Sequence, residues 1–98
     1  MVRVTTARIA LQKLQHNLRA IQEFLEANAP GRRPTIIAVV KANAYGHGAE
    51  RVARALEQAG AAMLACADIE EGVALRRARV GVPVLVFGAL GLSDLDGL

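Results

Sequence analysis

Tryptophan is missing, cysteine occurs once, and aromatic residues make up only 3% of the chain, so several functional classes close at the outset. With Cys66 alone there is no internal disulfide and no cysteine cluster to hold a metal. That cysteine sits in an apolar run and reads as a buried, inert thiol. One tyrosine and two phenylalanines leave little for stacking on bases, so a net charge of +3 is weak support for a nucleic-acid partner. Arg32 and Arg33, and Arg76, Arg77 and Arg79, read as solvated surface. No uninterrupted apolar run reaches the ~18 residues of a membrane span, and the opening residues lack an apolar segment with a small-residue cleavage site. A cytoplasmic protein with no membrane contact is expected. Lysine is also scarce, with Lys13 and Lys41 set against ten arginines.

What is present is the composition of a folded protein, 53% hydrophobic and 21% charged. Ninety-eight residues permit one domain at most, and a free-standing domain of that size buries only about 60 to 65% of its unfolded surface. Leu11, Leu14, Leu18, Ile21 and Leu25 recur at offsets of three and four and form one apolar stripe of a helix, which Ala29-Pro30-Gly31 ends. Thr35 to Val40 is a short β-branched run that reads as a strand covered on both faces. A second helix carries Val52, Ala55, Leu56 and Ala59 on one face and stops at Gly60. Ala62 to Ala67 is a second strand, and Asp68 with Glu71 three residues on supplies a capping-box-like start to a third helix. Val82 to Phe87 is the third strand, with Pro83 near its first position. Ser93-Asp94 could cap another helix.

Such alternation builds a parallel α/β sheet with short connections. Periodicity leaves two architectures open, a doubly wound open sheet or the beginning of a (β/α)8 barrel. In both, chemistry gathers at the carboxyl ends of the strands, where Lys41, Asp68 and Gly88 fall. A closed barrel takes about 250 residues, so a barrel would be present here only in its N-terminal portion.

Lys41 lies two positions after Val39, so on a pleated strand both side chains leave the same face. A primary amine at a strand end can condense with an aldehyde, which a guanidinium cannot do. Against this stands the plain alternative of a solubilising lysine that closes a strand. Tyr45 and His47 are equally silent by spacing alone. Gly46 and Gly48 read as a flexible turn into the next helix, because neither the dinucleotide nor the Walker pattern is present.

The run VVKANAYGHG, from Val39 to Gly48, followed by AERVARALEQAG, resembles the cofactor-lysine segment of the pyridoxal-phosphate-dependent alanine racemases. LQHNLRAI resembles that family's first helix, ADIEEGVALRRARV its segment after the second strand, and VPVLVFGA its third strand. The resemblance implies the N-terminal portion of a (β/α)8 TIM barrel with parallel strands. Residues 1–98 would be one segment of a pyridoxal-phosphate-binding barrel domain, lacking the rest of the barrel and a C-terminal β domain. It also implies a cytoplasmic homodimer that interconverts L-alanine and D-alanine for cell-wall peptidoglycan.

In the family, the lysine matching Lys41 holds pyridoxal 5'-phosphate as an imine and then serves as one of two acid/base groups. The tyrosine matching Tyr45 helps hold the cofactor phosphate, and the positions matching Val39 and Phe87 line the cofactor pocket. No metal is implied. The second base comes from the partner subunit's C-terminal domain, and the groups binding the substrate carboxylate and the pyridine nitrogen lie beyond residue 98. The fragment by itself is therefore expected to be inactive. Two small departures are Ala10, where the family often has an acidic residue, and a somewhat long loop from Asn28 to Pro34. In the family the opening strand pairs with the C-terminal domain, so Val2 to Ala7 is expected to be frayed or differently paired. Two other functions compete: a non-catalytic pyridoxal-phosphate-binding barrel, and a small basic α/β domain that binds phosphorylated ligands or a protein partner.

Overall fold

A computed structural model describes residues 8–45 and 48–88. Val2 to Ala7 and the cap at Ser93-Asp94 lie outside the described residues. The order is α1 (Leu11–Asn28), β1 (Ile37–Val39), α2 (Lys41–Tyr45), α3 (Ala49–Gln58), β2 (Met63–Cys66), α4 (Ile69–Arg77) and β3 (Val84–Val86). The three strands form one parallel sheet in the order β1-β2-β3. Ile37, Ala38 and Val39 stand beside Met63, Leu64 and Ala65, and Leu64, Ala65 and Cys66 beside Val84, Leu85 and Val86. Each strand is shorter than its apolar run.

Because side chains alternate along a strand, this register sorts the sheet into two faces. Ala38, Val40, Leu64, Cys66, Val84 and Val86 belong to the core built with the helices, along with Leu18, Val52, Ala53, Leu75 and Val80. Leu64 is fully buried, so Leu64→Ala would cost about 2–5 kcal/mol through lost transfer energy and a cavity. Ile37, Val39, Leu85 and Phe87 lie on the opposite face and are 43–50% exposed. The expectation of a strand covered on both faces is corrected here, because the helices of this segment all pack on one side. An apolar face left bare while the helices pack on the other is what the barrel expectation requires of its inner side, which layers of side chains fill in a closed barrel.

The α1 stripe is also only partly buried. Leu18 packs fully against the core and Leu11 and Leu14 lie beside it, and Gln15 Nε2 donates to the Ala55 carbonyl at 2.9 Å. Ile21 remains 52% exposed, because α1 meets α3 through its first turns.

The helix ends are closed by local chemistry. Gly60 sits at φ +105°, where the Ala61 N–H donates to Leu56 O and the Gly60 N–H to Glu57 O, the paired bonds of a left-handed C-cap. Arg79, at φ +66°, closes α4 with the same pair of bonds although it carries a Cβ. At the amino ends of the strands the Glu57 carboxylate accepts from the Gly81 and Val82 N–H groups at 2.6 and 2.8 Å. Arg76 donates to the Val80 and Val82 carbonyls, so one arginine of the basic cluster is spent on a loop.

Candidate active site at the strand ends

Val40 continues the β1 pairing, donating to the Ala65 carbonyl at 2.8 Å, and the chain then turns sharply at Lys41. The next three residues, Ala42, Asn43 and Ala44, are left-handed, with φ of 50, 56 and 55°. This left-handed turn of residues that carry Cβ atoms precedes the expected glycine turn, of which Gly48 stands at φ +90° just before α3 and Gly46 lies outside the described residues. Left-handed backbone costs about 1–2 kcal/mol per L-residue, so this turn exists only because its surroundings hold it.

Among the described residues, four bonds help to hold it. The Ala44 N–H donates to Val40 O at 3.0 Å, and the Gly48 N–H to Asn43 O at 2.9 Å. Asn43 Oδ1 accepts from the Ala49 N–H at 2.8 Å, so the asparagine caps α3 from within the turn. Asparagine also suits this backbone better than most residues, since its short amide can bond locally. Finally, the Ala42 N–H donates to Glu71 Oε2 at 2.7 Å. A charged acceptor makes this bond worth about 1.5–3 kcal/mol.

Glu71 does more than start its helix. The Asp68 half of the cap is as expected, with Oδ1 accepting from the Glu71 N–H at 2.8 Å. The glutamate carboxylate bonds both the residue just before its own N-cap and the turn after β1. Oε1 accepts from the Ala67 N–H at 2.7 Å while Oε2 takes the Ala42 N–H, so one carboxylate ties the end of β2 to the turn after β1. No sequence pattern announces a contact between residues 29 apart.

The strand ends thus present Lys41 on the open face. Its ammonium nitrogen lies 5.6 Å from the centroid of the Phe87 ring, inside cation–π range. To get there the lysine spans β2, which separates β1 from β3 in the sheet. Small side chains make that passage possible, since Ala65 stands between Val39 and Leu85 in register and is only 2% exposed. Gly88 closes the far side, where a Cβ would overlap the Ala67 carbonyl oxygen. Val39, Lys41 and Phe87 are therefore brought together on one face. The Tyr45 side chain and His47 lie outside the described residues.

Cys66 points the other way, into the helix-side core, with its thiol donating to the Asp68 carbonyl at 3.4 Å. Burial, then the Glu71 and Asp68 carboxylates, push its pKa above the ordinary value. A cavity of about 300 Å³ lies behind the turn, lined by residues such as Val40, Asn43, Glu71 and Leu75. It opens on the helix side, and Lys41 does not line it. Among the described residues no group of three histidine, cysteine, aspartate or glutamate side chains could hold a metal, and no helix is long and apolar enough to cross a membrane.

Fold and site together define the opening βα units of a (β/α)8 barrel that carries a lysine at the carboxyl end of its first described strand. Comparison with known proteins makes this specific: residues 9–98 match the alanine racemase N-terminal domain, and the chain belongs to that family. The alanine racemase of Symbiobacterium thermophilum is 45% identical over 97 residues, which are 99% of this chain and 24% of that protein. That of Sorangium cellulosum is 45% identical over 96 residues, 98% of this chain and 24% of the relative. A crystal structure of alanine racemase from Bacillus anthracis with bound L-Ala-P superposes with a TM-score of 0.71 at 40% identity, covering 82% of this chain and 19% of the other. The chain thus spans about a quarter of the length of the curated relatives it matches.

Proposed function

We propose that these residues are the N-terminal segment of the barrel domain of an alanine racemase, and that Lys41 is its cofactor lysine. The rest of the barrel and a C-terminal β domain would complete the protein, a cytoplasmic homodimer supplying D-alanine for peptidoglycan. What supports this most is the placement of Lys41, a primary amine on the open face at a strand end, held by a left-handed turn and set against the Phe87 ring.

The residues present fit pyridoxal 5'-phosphate. A primary amine is the group that bonds covalently to its aldehyde, and Val39 and Phe87, each about half exposed, offer apolar surface for a flat ring beside it. Tyr45 follows on the same turn and is assigned to the phosphate. When bound, the cofactor supplies a conjugated ring that spreads the negative charge left on the alanine Cα after proton loss.

Lys41 holds and moves a proton at Nζ on one face of the substrate. Racemisation requires removal on one face and delivery on the other, so a second acid/base group must stand opposite. Among the described residues the strands otherwise present Ile37, Val39, Met63, Ala65, Leu85 and Phe87 on the open face, none of which titrates. The opposite group is therefore assigned to the rest of the protein, and these 98 residues by themselves are expected to leave alanine unracemised.

The test uses the full-length protein: add pyridoxal phosphate, reduce with borohydride, and map the labelled residue by mass spectrometry. Label on Lys41, with racemisation lost in Lys41→Ala, is the expected result. Label on any other residue, or full activity in that variant, sinks the assignment. Label on Lys41 without racemisation would favour a non-catalytic cofactor-binding barrel.

A further inference from the structure

Among the described residues two glutamates make related contacts, each carboxylate accepting two backbone N–H groups, at least one of them from a remote segment. Glu57 takes Gly81 and Val82 at the amino ends of the strands, far from Lys41. Glu71 takes Ala67 and Ala42 at the carboxyl ends, and Ala42 is the residue directly after Lys41. We propose that Glu71 is a positioning residue for Lys41, its carboxylate locking the first amide of the left-handed turn to the end of β2 so that the lysine is aimed along the open face. The inference rests on the reading of Lys41 as the cofactor lysine.

The physical case lies in the turn itself. Ala42, Asn43 and Ala44 hold a backbone that L-residues avoid, so the turn is poised to relax once a restraint is lost. Among the described bonds, Val40 ties the start of the turn to Ala65 of β2, and the bond to Glu71 carries the Ala42 amide across to the end of β2, while those of Asn43 stay within Val40 to Ala49. Without the Glu71 bond the turn can move relative to β2, and Nζ, at the end of a long side chain, moves furthest. Asp68 fixes the base of the clamp by capping the Glu71 N–H, which holds the first turn of α4 in place.

The test compares Glu71→Gln with Glu57→Gln in the full-length protein. Glutamine keeps the shape but turns one of two acceptor oxygens into a donor, so one of the two amides must lose its partner. For Glu71→Gln we expect faster hydrogen exchange at the Ala42 or Ala67 amide. Borohydride-trapped labelling of Lys41 by pyridoxal phosphate should slow, and kcat should fall by about 10- to 100-fold, as expected when a reacting group is misplaced by about an ångström. KM for alanine should change less than about threefold, since no substrate contact is removed.

Glu57→Gln removes an equivalent clamp at the other end of the sheet and should leave Lys41 labelling and kcat near wild type. Should Glu71→Gln fold poorly, Glu71→Asp keeps the charge but is one methylene too short to reach both amides, and it should show a partial loss of the same kind. Wild-type labelling rates and amide exchange in the Glu71 variants would overturn the inference, as would an equal loss of kcat in Glu57→Gln. If wild-type protein takes label elsewhere than Lys41, the cofactor assignment fails instead. The exchange comparison at Ala42 then still decides whether Glu71 holds the turn.

Discussion

The left-handed turn after Lys41 makes a prediction whose sign depends on the backbone. Ala42 is exposed at φ 50°, so Ala42→Gly removes no buried surface and acts only through conformation. Relief of the left-handed penalty contributes about 1–2 kcal/mol, and the extra freedom of glycine in the unfolded chain takes back about 0.4–1 kcal/mol. The variant should therefore be more stable by about 0.8 kcal/mol. Were Ala42 in an ordinary right-handed helix, the same change would destabilise by about 0.5–1 kcal/mol. Ala44→Gly is the companion, because Ala44 shares the conformation but is only 5% exposed. Losing its buried methyl costs about 0.8 kcal/mol, which brings that variant close to neutral. Urea unfolding of the full-length protein, read as a shift in midpoint at constant slope, measures both. A loss of stability of 0.5 kcal/mol or more in Ala42→Gly, on the order expected of a right-handed helix, would refute the left-handed assignment.

Two further outcomes follow from packing and charge. Cys66 is fully buried and its thiol is pushed above the ordinary value of 9.0, so native protein should resist thiol reagents at neutral pH and react on addition of urea. Because the folded thiol keeps its proton longer than the unfolded one, its contribution to stability is intact below about pH 9 and declines as pH rises beyond that. Wild type should accordingly lose stability more steeply than Cys66→Ala in that range, and parallel curves would disprove the shift. Gly88→Ala places a methyl group against the Ala67 carbonyl, which is backbone and cannot swing aside. It should cost about 1–3 kcal/mol in thermal unfolding, whereas Gly81→Ala, whose Cβ would meet only the Glu57 side chain at 3.5 Å, should stay within about 0.5 kcal/mol. Equal behaviour of the two glycines would contradict the close approach at Gly88.

Much of this architecture was legible along the chain. Leu11, Leu14 and Leu18 marked the first helix, Gly60 ended α3 in the expected left-handed cap, and the apolar runs located each strand to within a few residues. Asp68 capped α4 as its position suggested. Lys41 emerged at a strand end from the same local pattern, and VVKANAYGHG tied it to a family before any contact was known. The turn that follows was not legible, because alanine favours right-handed helices and only the asparagine hinted otherwise.

The sequence by itself determined the order of elements, the helix ends and the residue types at the strand ends, since these depend on neighbours within a few positions. Tertiary structure decided which sheet face stayed open, the approach of the Lys41 amine to Phe87 across β2, and the reach of the Glu71 carboxylate to the distant Ala42 amide. The physical reason is separation along the chain. A cap or a stripe is fixed by local geometry, while a bond between Glu71 and Ala42 exists only after β1, β2 and α4 have been brought side by side.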